Sequence, residues 1–327
     1  MLDVKDLEIE FPTRRGTVRA VRGISFQVLP GEVVGLVGES GSGKSATASA
    51  LLGLLPPPGR IAGGEIRWKD SSLLDPERIS RVRGKEIGLV PQEPIRSLNP
   101  LTRVGKQLEE VLRYHRGLDR RSARTAAVEL LASVGISAPE RRANQYAHEL
   151  SGGMCQRVLV ALSLAAEPAL IIADEPTTAL DVTIQAQIVK LLKGFRDDRG
   201  LSIVFITHDL GLVAELCDSV MVMYSGLIVE SGSVNQVFNN PQHPYTSALL
   251  ASRPEVNVAQ RRLPAIAGSP PDPVFPPPGC PFFPRCSYRS DPRCETELPP
   301  LRETDLNHFS RSFYQLSQVD SPELLSG

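Results

Sequence analysis

The eight residues Gly38-Glu-Ser-Gly-Ser-Gly-Lys44-Ser45 constrain this chain more than any other feature. They fit the spacing Gly-x4-Gly-Lys-Ser/Thr. They follow the apolar run Val33-Val-Gly-Leu-Val37 and precede Ala46–Leu55, a stretch of helical pattern stopped by Pro56-Pro-Pro58. A continuous apolar run bounded by turn residues reads as a buried strand. The loop therefore turns a strand into a helix, which is the context a phosphate cradle needs. Its glycines admit close approach of phosphate oxygens to backbone N–H groups, and the helix start adds the positive end of its dipole. Lys44 can reach the outer phosphates, and the Ser45 hydroxyl suits Mg²⁺. Gly38, Ser40, Gly41, Ser42, Gly43, Lys44, Ser45 and Ala46 are thus candidate contacts to a nucleotide. An ordinary strand-to-helix turn would not need this lysine and hydroxyl at this spacing.

The rest of the chain supplies a setting for that loop. Leu7-Glu-Ile-Glu-Phe11, Val18–Val21 and Ile24–Val28 show alternating, β-branched strand patterning. From about Pro94 to Leu164 the apolar residues recur at helical spacing: Val104, Leu108, Val111 and Leu112, then Ala127, Leu130, Leu131 and Val134. Leu170–Ala173 and Ile203–Ile206 return to buried strands around a helix at Thr183–Arg196. Strands alternating with helices imply a parallel α/β sheet. Twelve of the 28 prolines lie between Pro264 and Pro300, a density that excludes regular helix or central strand. The expected organisation is a β-rich first part of an α/β core at 1–92, a helical insertion at 93–160, the second part of the core at 161–236, and a small proline-rich appendage at 237–327.

Two further motifs carry chemistry. Leu170-Ile-Ile-Ala-Asp174-Glu175 is a buried strand ending in two acids. Asp174 can hold Mg²⁺ as the second acidic motif of phosphate-loop enzymes does, and Glu175 can act as general base on water. The bland alternative is that both only cap the next helix. Leu150-Ser151-Gly152-Gly153-Met154 precedes a helix from Cys155 to Ala166. A serine and two glycines at a helix start make a second phosphate-binding end, redundant in a monomer but useful if it covers a nucleotide held by another chain. Simple N-capping by Ser151 would occur in either case.

With Ala179-Leu180-Asp181 and Thr207-His208-Asp209 following in order, the chain resembles the nucleotide-binding subunits of ABC transporters over roughly residues 1–235. That resemblance implies a phosphate-loop NTPase core of the ABC ATPase type. It also implies roles by position: Phe11 stacks on adenine, and Gln92 contacts Mg²⁺ and senses a membrane partner. Asp181 belongs to a loop crossing the dimer interface, and His208 contacts the γ-phosphate and holds Glu175. Glu175 and His208 are the expected catalytic pair. Ser45, Gln92 and Asp174 are the expected Mg²⁺ set, and Ser151, Gly152 and Gly153 cover the ATP of the partner chain. Met154 stands where many relatives have glutamine, and Cys155 where close relatives often have arginine. Cys155 reads as a small buried hydrophobe.

Several segments resemble the oligopeptide/dipeptide importer branch in particular: Ala173–Asp181, Gln92-Glu-Pro94 with Ser97–Pro100, Asn240-Pro-Gln-His243-Pro-Tyr245-Thr246, and Gly279-Cys280-Pro-Phe-Phe-Pro-Arg285-Cys286. The resemblance implies ATP-driven import of short peptides by two transmembrane permease subunits and a second, commonly non-identical ATPase subunit, served by an external solute-binding protein. The same branch also serves nickel, glutathione and other small solutes. A soluble ABC protein that remodels ribosomes or DNA is the rival class, and it usually carries two ATPase domains or a coiled-coil insertion.

Composition fits this placement. Thirty-six basic and 37 acidic residues leave a formal charge of −1, which does not call for nucleic acid. No apolar stretch approaches the ~18 residues of a membrane span. The first residues lack a basic region followed by an apolar one. The expectation is a peripheral protein on the cytoplasmic face of a bacterial inner membrane.

Cys280, Cys286 and Cys294 remain. In the resembled branch three such cysteines and a fourth can hold a [4Fe–4S] cluster, but here the fourth position is Ser312 in His308-Phe-Ser-Arg-Ser312. A cluster normally takes four thiolates. Zinc held by the three cysteines and His308 is a second reading, and a decayed, empty site a third.

Overall fold

The alternating pattern at the N-terminus builds β1 (Leu2–Thr13), with Leu2, Val4, Leu7 and Ile9 turned inward, and β2 (Gly16–Val28). Successive strand side chains face opposite sides, so one face of this ribbon is apolar and the other polar. The apolar run Val33–Val37 is β3, buried at every position, and the helix after the glycine-rich loop is α1 (Lys44–Leu51). Then come β4 (Arg60–Trp68), β5 (Ser71–Ser72), α2 (Pro76–Val82) and β6 (Ile87–Val90). The helical stretch resolves into α3 (Pro94–Ser97), α4 (Val104–Arg116), α5 (Arg120–Ser133), α6 (Pro139–Ala143) and α7 (Gly152–Leu164). Strand and helix then alternate: β7 (Leu170–Asp174), α8 (Val182–Arg199), β8 (Ser202–Thr207), α9 (Leu210–Leu216). A hairpin of β9 (Ser219–Tyr224) and β10 (Leu227–Ser233) leads to α10 (Val234–Asn239) and α11 (Pro244–Ala251). The last elements are α12 (Arg293–Thr296), β11 (Arg302–Asp305) and β12 (His308–Ser310). The computed structural model describes residues 1–178, 180–252, 266–289, 291–314 and 316. Ala179, Pro264 and the remaining positions of the appendage lie outside the described residues.

The chain divides into two compact units. One comprises residues 1–27, 34–72 and 207–327, the other 28–33 and 73–206.

The first unit contains the sheet β2-β1-β4-β5, in which β1 and β4 run antiparallel from Leu2 opposite Trp68 to Glu10 opposite Arg60. It also contains the strand run β11-β12-β10-β9-β3. Here β3 and β9 are parallel, Val34 opposite Ser219 to Val37 opposite Val222, while β9 and β10 form an antiparallel hairpin. The appendage adds to this run: β12 pairs with β10, Glu230 opposite Ser310, and β11 pairs with β12. The expectation that proline density excludes regular helix up to Pro300 is not met throughout: among the described residues a short helical turn stands at Phe283–Arg285 and α12 at Arg293–Thr296, and two short strands follow beyond Pro300. The appendage is therefore held by strand addition, and by Phe282, which is fully buried against Tyr224 and Tyr245 with ring centres 5.4 and 5.3 Å away. Backbone pairing and an aromatic contact tie it to the rest of this unit.

The second unit carries the parallel strands β6-β7-β8, with Ile87 opposite Leu170 and Leu170 opposite Ser202. Helix α4 buries Val104, Leu108 and Leu112, and α5 buries Ala123, Ala127 and Leu131. These are the inward stripes of amphipathic helices. Gly117, in the left-handed region, stops α4, and the carboxylate of Asp119 accepts from the N–H groups of Arg121 and Ser122 to start α5. No helix among the described residues is long and apolar enough to cross a membrane.

Candidate functional site

In the first unit the glycine-rich loop joins β3 to α1. Gly38 has φ +148° and Gly43 +110°. A side chain at Gly38 would run into the carbonyl of Met223, and one at Gly43 would stand 2.5 Å from the carbonyl of Ala20. Both positions therefore need glycine for conformation and for space. The Lys44 ammonium, almost wholly buried, donates to the carbonyls of Gly38 at 2.7 Å and Glu39 at 2.9 Å. The lysine head thus lies within the loop. Ser42 is buried, while Ser45 in the first turn of α1 is exposed. Ser40 and Gly41 occupy the turn before Ser42, and Ala46 continues the helix. Open backbone, an ammonium and an exposed hydroxyl fit a nucleotide phosphate with Mg²⁺, a cation that prefers oxygen ligands.

Two other expected residues belong to this unit. Phe11 is half-buried on β1, its ring packed over Gly59. His208 is exposed between β8 and α9. The turn at His208 is tied by Asp209, whose N–H donates to the Thr207 hydroxyl at 3.0 Å and whose carboxylate accepts from the Gly211 N–H at 2.8 Å.

The second unit brings Gln92 and Glu175 together. The Gln92 amide donates to Glu175 Oε2 at 3.0 Å, and the Thr178 hydroxyl donates to the same oxygen at 2.7 Å. The Glu175 N–H donates to the carbonyl of Ile206 at 2.9 Å. Glu175 has φ +46°, a left-handed conformation that a glutamate rarely adopts. Such strain persists where surrounding contacts enforce it, and it clusters at functional positions. Asp174, half-buried, ends β7 opposite Ile206. Glu175 does not cap α8; Asp181 does, with its carboxylate accepting from the Ile184 N–H at 2.9 Å.

Ser151 caps α7. Its hydroxyl oxygen accepts from the Met154 N–H at 3.3 Å, which leaves the hydroxyl proton to donate outward. Ser151 and Gly152 are exposed, and Gly153 lies against Ile184. Cys155 is fully buried and gives its S–H to the carbonyl of Ala147 at 3.3 Å; burial raises its pKa.

The cysteines of the appendage need a correction. Among the described residues no three His, Cys, Asp or Glu side chains gather as a metal site. His308 is not turned to the cysteines. It is buried on β12 with Nε2 2.8 Å from Glu230 Oε1, and Glu230 also accepts the N–H groups of Gln242 and His243 at 2.7 and 2.9 Å. The Ser312 hydroxyl accepts from the Tyr314 N–H at 3.0 Å. Burial pushes the Cys280 thiol up to about 11 and also raises Cys286 and Cys294, favouring protonated thiols over metal-binding thiolates. These residues do not fit a four-ligand cluster or the zinc set.

Sequence reasoning gave no role to Glu39, Thr178, Tyr224, Tyr245 or Arg285. Thr178 could have been suspected from its place three residues after Glu175. The others are joined by contacts far apart in sequence.

A family profile described as "ABC transporter" matches residues 21–178, and one described as "Oligopeptide/dipeptide transporter, C-terminal region" matches residues 229–294. The oligopeptide transport ATP-binding protein OppD of Bacillus subtilis is 52% identical over 292 residues, covering 88% of this chain and 82% of that protein. The dipeptide transport ATP-binding protein DppD of the same organism is 46% identical over 292 residues, covering 88% and 87%. Among solved structures, a dimeric ATP-binding cassette in a post-hydrolysis state with ADP and Pi superposes with a TM-score of 0.65 at 28% identity. It covers 72% of this chain and 99% of that one.

Proposed function

The chain belongs to the ABC transporter ATP-binding proteins, in the oligopeptide/dipeptide group, and from that premise we propose that its ATPase powers import of short peptides across the inner membrane. The observation that carries the chemistry is Glu175: a strained carboxylate at the end of a buried strand, oriented by Gln92 and Thr178. A carboxylate so fixed is suited to accept a proton from attacking water.

In this reading two ATPase subunits close head to tail on two ATP molecules. The loop Gly38–Ser45 of one chain takes the phosphates, Phe11 stacks on adenine, and Ser151–Gly153 of the other chain cap the γ-phosphate. Lys44 leaves the Gly38 and Glu39 carbonyls for the outer phosphates. Ser45, Asp174 and Gln92 would hold Mg²⁺, which would supply neutralising charge at the phosphates when bound. Glu175 orients water in line with the γ-phosphate, and His208 steadies that arrangement. The solved dimer with ADP and Pi supports the two-chain arrangement by likeness. Membrane location follows from the permease partners. The appendage that matches the importer C-terminal region supports peptide cargo over nickel and over soluble remodelling of ribosomes or DNA.

The test is purification of the tagged chain from detergent-solubilised membranes, with uptake of a labelled oligopeptide measured in the same cells. The expected result is copurification of two polytopic subunits and a second ATPase, with uptake lost in the Glu175→Gln strain. Copurification with ribosomes or DNA, or uptake unaffected by Glu175→Gln, would overturn the reading.

A further inference from the structure

Glu39 is the second residue of the phosphate-binding loop, and three of its groups are tied. Its N–H donates to the Tyr245 hydroxyl at 2.9 Å and its carbonyl accepts from Lys44. Its carboxylate takes both terminal nitrogens of Arg285, at 2.6 and 3.0 Å. Arg285 comes from the proline-rich appendage, 246 residues along the chain, and its side chain is only 5% exposed. Its other donors are used as well: on the Tyr224 hydroxyl at 3.2 Å and on the carbonyls of Ala267 and Ile266 at 2.9 and 3.2 Å. The guanidinium lies 5.8 Å from the centre of the Tyr224 ring and 6.0 Å from that of Phe282. The hydrogen bond to Glu39 raises the Arg285 pKa further above its ordinary value, so the cation is permanent.

The same appendage reaches the hairpin that carries Phe11. The Arg19 N–H donates to the Pro273 carbonyl at 3.1 Å, Arg15 pairs with Asp272 at 2.9 Å, and Val274 packs against Gly16. One appendage segment therefore grips both the loop read as holding phosphates and the hairpin read as holding adenine.

We propose that Arg285 is a positioning residue for the ATPase: through its bidentate bridge to Glu39 the appendage holds the phosphate-binding loop in its receiving shape. The proposal rests on the reading of Gly38–Ser45 as the ATP cradle. A cradle made of backbone N–H groups works only when several are fixed together, and a loop ordered in advance loses less entropy on binding. When Lys44 turns to the phosphates, the Glu39 carbonyl loses that tie, and the contacts from Arg285 and Tyr245 remain. A fork of two parallel N–H bonds on one carboxylate is a geometry that lysine cannot reproduce.

The experiment is a double-mutant cycle on the full-length chain with Arg285→Met, Glu39→Gln and the double variant, alongside Arg285→Lys. Binding of trinitrophenyl-ATP and steady-state ATP hydrolysis are measured, with thermal melts as the folding check. Arg285→Met is expected to raise Kd and KM about tenfold, the size of coupling expected for contacting groups, with kcat within about twofold of wild type. Glu39→Gln should raise Kd and KM to a similar extent, the double variant should be no worse than either single one, and Arg285→Lys should fall between. A mere packing role predicts multiplying losses and a lowered kcat. KM within about twofold of wild type in folded Arg285→Met, or independent losses in the double variant, would overturn the proposal. Should Arg285→Met not fold, Arg285→Lys and Glu39→Gln decide by the same KM criterion. A wild-type chain that binds no ATP would overturn the functional reading and the clamp together, whereas normal wild-type turnover with an unmoved KM in the variants sinks the clamp alone.

Discussion

Glu175 stands at a backbone angle that glutamate avoids, with Gln92 and Thr178 sharing one of its carboxylate oxygens. Its position after an apolar strand was readable from sequence, because strand, acid and acid form a linear pattern. The strain and the threonine were not, because φ and side-chain orientation depend on packing by residues elsewhere. The same division holds for His243. The motif Asn240–Thr246 could be noticed in the sequence, but its physics is burial: His243 is 1% exposed, and its Nδ1 accepts from the Tyr245 N–H at 3.0 Å to cap α11. Burial lowers its pKa from 6.5 to about 3. The folded chain thus holds the neutral ring, while the unfolded chain binds a proton below pH 6.5. The neutral ring's contribution is complete above pH 6.5 and is lost as pH falls toward 3, by up to about 1.4 kcal/mol per pH unit. Urea unfolding at pH 7.5, 6.5 and 5.5 should show this decline. His243→Asn, which keeps a capping acceptor, should have a shallower pH slope than wild type.

At the scale of elements, α7 joins two functions that sequence could not rank. Ser151 is an N-cap, and its exposed hydroxyl still has a proton to donate. Ser151→Ala should cost about 1 kcal/mol of stability by chemical denaturation, as loss of a cap does. If Ser151 also serves the partner's nucleotide, the same variant should weaken ATP-dependent dimer formation in size-exclusion chromatography far more than that stability loss explains. The α/β alternation was legible because buried strands such as β3 and β7 are continuous apolar runs. The attachment of the appendage was not. Its strands are short, β11 is exposed along its length, and β12 is recognisable by its pairing with β10 and β11. The zinc reading with His308, one of three left open by the resemblance, is not supported for the same reason: strand pairing brings His308 to Glu230.

For the whole molecule, the formal charge is −1, and no helix among the described residues is long and apolar enough to cross a membrane. The two compact units divide the motifs: the phosphate-binding loop, Phe11 and His208 in one, Gln92, Ser151, Asp174, Glu175 and Asp181 in the other. Sequence order places the motifs along the chain, whereas this division depends on which distant segments pack together. The appendage belongs to the unit with the loop, which is how Arg285 comes to hold Glu39.

The most direct measurement of the central claim is phosphate release by the purified chain and its Glu175→Gln variant, side by side with ATP binding. The wild type should hydrolyse ATP, and Glu175→Gln should bind ATP as well as wild type while turning it over at least about 100-fold more slowly, the loss expected when a general base is removed. Turnover by Glu175→Gln within about twofold of wild type would contradict the assignment of Glu175 as the base.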